Sequence, residues 1–305
     1  MTIYAERARF MAVEQGFNIK RPPLEPRAFT EEPVRAFSRQ EPTGTILLDL
    51  SDVLGTDYPP TTPFLLTRYV RMGAGEMLET VFAASGELWA VLKGAGSVTR
   101  GSGEINWAEG DLLAFPGGVA SRWTADEDSV LWTTTDEPML AFAHVRPEMP
   151  ERAPMQDTHF RAEEIAGYLE ALYRRDLGPE TPGRAIFMAT SQTQRLGTCL
   201  PSLTLTLNAV RPGEAQRPHR HNAAAIVLAL REAACTSHIG GKTFRWIRYS
   251  TILTPPGEPH SHRNAQAEPD DDVATDDIAL ALIVQDGGLY YYARTMGFSF
   301  DAEST

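Results

Sequence analysis

Short apolar runs punctuated by turn residues dominate the chain. From Thr45 onward they read TILLDL, FLLTRYVRM, LETVFAA, LWAVLKG, EINWA, DLLAF, SRWTA, SVLWTTT and MLAFAHV, broken by Gly, Pro and Asp. A second series opens at Leu203 with LTLTLNAV and continues through AAAIVLAL, CTSHI, KTFRWIRY, STILTPP and IALALIV. Runs of this length and composition predict strands, and many short strands with turns between them predict a sandwich or barrel. Gly240-Gly241 between two β-rich runs predicts a hairpin. Helical spacing appears twice. Residues 4 to 16 suit a short helix, and RAEEIAGYLEALYRRD places Ile165, Tyr168, Leu169, Leu172 and Tyr173 on one face before Gly178 and Pro179. The pattern divides the chain into an N-terminal helix with a proline-rich wrapping arm (1–45), a first barrel (46–147), a connecting helix and linker (148–200) and a second barrel (201–305).

Composition narrows the picture. A chain of 305 residues, 42% of them hydrophobic, can fill two cores. A net charge of −12 with no Lys/Arg cluster argues against nucleic acid or an anionic membrane surface as partner. Cys199 and Cys235 are too few for a disulfide framework and lack zinc-like spacing. The N-terminus has acidic residues and no apolar core of a secretory signal, and no stretch approaches the roughly 20 apolar residues of a membrane span. A soluble cytoplasmic protein is the expectation. The acidic run 267–277 is expected to be a solvated loop.

The chemistry concentrates in two places. Four of the seven histidines fall in His219-Arg220-His221 and in Pro255-Pro256-Gly257-Glu258-Pro259-His260-Ser261-His262-Arg263-Asn264. In an extended strand alternate side chains share a face, so His219 and His221 point one way and Arg220 the other. One strand thus offers two imidazoles to one ion, and His260 is the best third ligand. The competing reading is a set of surface or core histidines in a metal-free barrel.

These spacings resemble the two motifs of the cupin superfamily, small β-barrels with a metal in the barrel mouth: Gly-x5-His-x-His-x3-Glu-x6-Gly and Gly-x5-Pro-x-Gly-x2-His-x3-Asn. Gly213, His219 and His221 fit the first, and Pro255, Gly257, His260 and Asn264 the second. The usual glutamate slot holds Ala225, and two glycine slots hold Glu232 and Tyr249. The resemblance therefore implies three neutral histidines and no carboxylate, a set that leaves Fe(II) one open face for a bidentate anionic substrate and dioxygen. The first half fits the same frame without its ligands: Gly75, Glu87, Gly94, Gly110, Pro116 and Gly118 are in place, but Val81, Ala83, Ser121 and Ala125 fill the histidine and asparagine slots. It reads as a barrel kept for structure, with Glu87 a hydrogen-bonded carboxylate.

PHRHNAAAIVLAL, ILTPPGEPHSHRN and a strand ending in Gln285-Asp286-Gly287 are similar to the gentisate and salicylate dioxygenase bicupins, as is the segment RAIFMATSQTQRLGTCLPSLTL. The resemblance implies an all-β fold of two cupin (jelly-roll) barrels, with His219, His221 and His260 holding Fe(II). It also implies His262 and Asp286 as catalytic groups, and a hydroxylated aromatic acid and O2 as substrates of a ring-cleaving reaction. A substrate carboxylate calls for a cation, and of Arg217, Arg231, Arg245 and Arg248 we favour Arg231 and Arg248. In typical gentisate enzymes the metal-bearing barrel comes first; here the order is reversed. Two alternatives stay open: another metal cupin enzyme (decarboxylase, hydrolase or isomerase using Mn, Ni or Zn), and a non-enzymatic small-molecule binder. Paired barrels of this kind often assemble further, so a homo-oligomer, dimer or tetramer, is expected.

Overall fold

The computed structural model describes residues 2–17, 23–148, 152–178, 181–267 and 274–301. Its strands form four antiparallel sheets, two to each half of the chain. In the first half a six-stranded sheet, built on Gly86–Lys93, Ser129–Thr135 and Leu66–Met72, faces a four-stranded sheet. In the second half a six-stranded sheet, built on Ala225–Arg231, Ala279–Gln285 and Thr204–Val210, faces a five-stranded one. Two facing sheets in each half make two jelly-roll barrels.

The central strands are buried along their whole length because both faces are covered. In Leu66–Met72, Val70 joins the interior cluster of the first barrel with Trp89, Trp107 and Trp123, while Tyr69 joins a larger cluster with Leu228 and Leu253 of the second. That larger cluster lies between the two six-stranded sheets, so the barrels pack back to back. Polar bonds fix the contact: the Tyr69 hydroxyl lies 2.8 Å from Thr251 Oγ1, and Trp132 Nε1 donates to the same oxygen at 3.1 Å.

The segments outside the barrels are stitched into them. In the arm, Arg27–Phe29 adds an edge strand to the second barrel through Thr251–Thr254, while the helix Glu31–Phe37 packs on Leu66–Met72 of the first. The linker gives Thr158–Phe160 to the first barrel and Arg184–Met188 to the second. Its helix spans Ala162–Tyr173 with Leu169 and Leu172 buried, and Arg184 Nη1 donates to the Leu172 carbonyl at its end. The N-terminal segment forms two short helices, Ile3–Arg7 and Val13–Phe17, instead of one.

One further expectation needs correction. MLAFAHV is not a strand but part of a helix, Glu137–Ala143, which follows Asp136 and carries Pro138 in its first turn, a position proline favours. Beyond the last predicted strand, Gly287–Ala293 is a helix and Phe298–Phe300 a strand paired with the His-x-His strand. Of the acidic run, residues 268–273 lie outside the described residues. No helix among the described residues is long and apolar enough to cross a membrane.

The glycine slots explain themselves. Gly94 has φ +91°, and a Cβ there would sit 2.1 Å from Ser129 Oγ. At the slot filled by Tyr249 the turn keeps its left-handed backbone, φ +64°, in a residue that disfavours it. Neighbours hold it there: Tyr249 N donates to the Ala229 carbonyl at 2.6 Å, its hydroxyl to the Leu92 carbonyl at 3.1 Å, and its ring stacks on Phe37 at 4.8 Å.

Candidate metal centre and cavity

The two His-x-His runs lie on neighbouring strands, His219–His221 and His260–Asn264, paired at His219 and His260. Arg220 is exposed and donates from Nε to Asp301 at 2.8 Å, as strand alternation requires. His219, His221 and His260 are buried, and their ligating nitrogens all lie within 4.8 Å of one another. His260 lies between the other two: the His219–His260 and His221–His260 ring centroids are 4.4 Å and 4.7 Å apart.

Each ring is oriented by backbone. His219 Nδ1 lies 2.9 Å from the Arg217 carbonyl, His221 Nδ1 2.8 Å from the Ala223 carbonyl and His260 Nδ1 2.8 Å from the Glu258 carbonyl. A carbonyl only accepts, so each Nδ1 carries the proton and each neutral ring presents a bare Nε2. Burial keeps the rings neutral: it lowers His219 from its usual 6.5, His221 to about 4 and His260 to about 2. Three converging neutral nitrogens with tied outer protons fit a divalent transition metal. The remaining partner of His221 Nε2 is Gln285, whose Nε2 donates to it at 3.2 Å.

The histidines open onto a cavity of about 310 Å³ inside the second barrel. The six-stranded sheet forms its floor in rows. Gln285, Ala225 and Thr254 make the row nearest the ligands, Thr206, Ile283 and Val227 the next, and Asn208 lies one row deeper. Ala225 stands where a glutamate ligand would reach in, so the methyl leaves space instead of a fourth donor. Phe187 from the linker strand and Tyr291, Met296 and Phe298 from the C-terminal segment complete the walls. Phe298 packs 5.4 Å from the His219 ring, and Asn222 ties that segment down by accepting from Gly297 N at 2.9 Å.

His262 also lines the cavity. Trp246 Nε1 donates to Ser237 Oγ at 2.8 Å, and Ser237 Oγ lies 2.9 Å from His262 Nδ1. The serine oxygen accepts from the indole and keeps one hydrogen and one lone pair, so it can pair with His262 Nδ1 in either tautomer of the neutral ring. Burial drives this imidazole down to about 3.

The other sequence-derived candidates are not part of the cavity wall. Asp286 is buried behind it: its Oδ1 accepts from Ala224 N at 2.9 Å, and burial pushes its carboxyl up to about 7. Asp136 sits at the matching point of the first barrel, accepting from Ser85 N at 2.7 Å, which marks this aspartate as a feature of both barrels. Arg231 turns outward, with Nη1 on the Thr275 carbonyl and Nη2 3.0 Å from the Tyr173 hydroxyl. Arg248 is exposed and lies over the Tyr249 ring. Arg217, also exposed, lies over Phe300. Among the described residues no Lys or Arg lines the cavity. Sequence reasoning missed Thr206, Asn208, Gln216, Thr254 and Gln285. The signal was present in LTLTLNAV, where Thr206 and Asn208 put polar atoms on an inward face.

The same architecture occurs in solved structures. A variant of salicylate 1,2-dioxygenase from Pseudoaminobacter salicylatoxidans in complex with gentisate aligns over 95% of this chain and 90% of its own, with a TM-score of 0.75 and 14% identity. Another structure of salicylate 1,2-dioxygenase from that organism aligns over 98% and 93%, with a TM-score of 0.74 and 14% identity. This is the bicupin fold. A cupin 2 conserved barrel domain protein from Leptotrichia buccalis aligns over 87% of this chain and 98% of its own, with a TM-score of 0.52 and 12% identity. No family model matches the chain, and no curated protein matches it by sequence.

Proposed function

We propose that this bicupin is an Fe(II)-dependent dioxygenase that opens the ring of a hydroxylated aromatic carboxylic acid. The observation that carries the reading is the clustering of three unprotonated imidazole nitrogens within 4.8 Å of one another, with Ala225 where a closing carboxylate would stand, at the edge of a cavity. His219, His221 and His260 would hold the metal, which when bound supplies Lewis acidity and an electron source toward dioxygen. The chain does the rest. Val227 and Ile283 on the floor, with Phe187 and Phe298 on the walls, take an aromatic ring and exclude water from it. His262 faces the cavity beside the ligands as a neutral imidazole and can hydrogen-bond a substrate there. Asp286 keeps the Ala224 amide in place at the start of the strand carrying Ala225 and acts as a support, not as a proton carrier. The salicylate 1,2-dioxygenase likeness supports this reading through its fold.

The test is anaerobic loading with Fe(II), then O2 uptake with a panel of salicylates, gentisates and hydroxynaphthoates. Uptake that requires the metal and disappears in His260→Ala is expected; full iron occupancy with no uptake across the panel sinks the reading. Metal analysis of protein from unsupplemented medium separates iron from the Mn, Ni or Zn of a decarboxylase, hydrolase or isomerase. Sedimentation velocity tests the expected dimer or tetramer.

A further inference from the structure

The two barrels place one long side chain at the same point of the inner sheet, but from different strands. In the first, Glu87 of Gly86–Lys93 stands opposite Thr135 of Ser129–Thr135. In the second the same pair of positions holds Ala225 and Gln285, so the long residue and the short one have changed strands. Residues directly opposite in an antiparallel pair share a face, and neighbouring strands lie about 4.8 Å apart, so a glutamine at the second position can cover the ground in front of the first. Both Ala225 and Gln285 line the cavity. Gln285 also touches the ligands: its Nε2 donates at 3.2 Å to the bare Nε2 of His221, the atom offered to a metal. Among the described residues that is the amide's one hydrogen bond, so its oxygen is uncommitted.

We propose that Gln285 is a fourth protein ligand of the metal, coordinating through Oε1 in place of the glutamate that Ala225 replaces. The assignment rests on the metal-site reading above and not on ring opening. An imidazole nitrogen holds a divalent transition metal at about 2.0–2.1 Å. The amide nitrogen stands 3.2 Å from His221 Nε2, so an ion entering on that lone pair meets the amide at once. An N–H facing a cation is repelled, and a half turn about the last side-chain bond exchanges the two ends of the amide and presents the oxygen. Asp286, next in the chain, accepts from Ala224 N at 2.9 Å and keeps the strand ends that carry Gln285 and Ala225 together. An amide oxygen is neutral, so the ion keeps its double charge. A chelating acid, which brings negative charge, can therefore displace the amide and free its position, as it could not displace a glutamate.

The experiment needs no turnover. Metal-free protein labelled with carbon-13 at the glutamine side-chain carbonyls is titrated with Zn(II) and followed by NMR, the Gln285 signal being the one absent from Gln285→Glu. That signal is expected to move downfield as zinc binds, because coordination draws electron density from the carbonyl. Zinc affinity, read by competition with a chromophoric chelator, is expected to fall roughly tenfold or more in Gln285→Leu and in Gln285→Asn, whose amide is one methylene too short to reach. Gln285→Glu, which restores a carboxylate, is expected to bind zinc more tightly than the native protein. A Gln285 carbonyl that does not move downfield on zinc binding, or native affinity in the Leu and Asn variants, overturns the proposal and leaves the three-histidine site standing. Absence of zinc binding by the native protein overturns both.

Discussion

The two barrels share a frame and fill it oppositely. Strand register places Ser121, Trp123 and Arg100 of the first barrel where the second has His260, His262 and Ile239, and Glu87 where the second has Ala225. In the first barrel Trp89, Trp107, Trp123 and Phe115 pack into the interior, with the Trp89 and Trp123 rings 4.2 Å apart. Arg100 reaches in from the neighbouring strand, donating to Ser121 Oγ and to the Pro116 carbonyl and lying 3.8 Å from Glu87. A fixed internal cation and an indole thus occupy the ground that the other barrel gives to three histidines and a cavity. The lesson is that a cupin frame tolerates either solution because its turns, and not its ligands, hold the strands in register.

The largest expected effect of breaking this contrast falls on the second barrel. His260→Ala removes the ring that lies between the other two, so metal content measured by elemental analysis falls to background while the fold, followed by circular dichroism, persists. In the first barrel Trp123→Ala leaves metal content intact but opens a void in a filled interior, costing about 3–5 kcal/mol; calorimetry should show the melting transition shift down by several degrees. Glu87 gives a pH test. Burial pushes its carboxyl from 4.5 up to about 7. The native state therefore keeps its proton over a range in which the unfolded chain has lost it. Its contribution is full below pH 4.5 and is lost as the pH rises through about 7. Glu87→Gln should flatten that segment of the stability profile measured by urea unfolding, with metal binding unchanged. Between the barrels, Tyr69→Phe deletes the hydroxyl that meets Thr251 and should cost about 1 kcal/mol in the same assay. The smallest effect belongs to Arg248→Ala, which should leave ligand affinity unaltered because the side chain lies outside the cavity.

What could be read from the sequence was set by backbone rules. Alternation alone put His219 and His221 on one face and Arg220 on the other, and the Pro-x-Gly-x-x-His spacing brought in His260 from a strand remote in sequence. Parity gave no guide to the arginines, for a physical reason. A register shift between Ala229 and Arg231 breaks the alternation along that strand, and Arg248 lies in the turn before Tyr249, where no alternation applies. The helix Glu137–Ala143 and the strand Phe298–Phe300 escaped because each is short and draws its stability from tertiary contacts, the latter from pairing with the His-x-His strand. The polar alternation of Thr206 and Asn208 was legible in LTLTLNAV, whereas Thr254 looked like an ordinary strand residue, because its place on the cavity floor depends on the pairing with Ala225.

The strand Arg27–Phe29 carries a consequence for synthesis. Its partner, Thr251–Thr254, is made only after the whole of the first barrel. At roughly 5–20 residues per second the ribosome needs on the order of ten seconds or more to travel between them. Throughout that interval the first barrel can close and take the helix Glu31–Phe37, while the strand Arg27–Phe29 waits unpaired. Completion of the second barrel then recruits a strand made before the first barrel was, so folding of this part of the protein closes on one of its earlier segments.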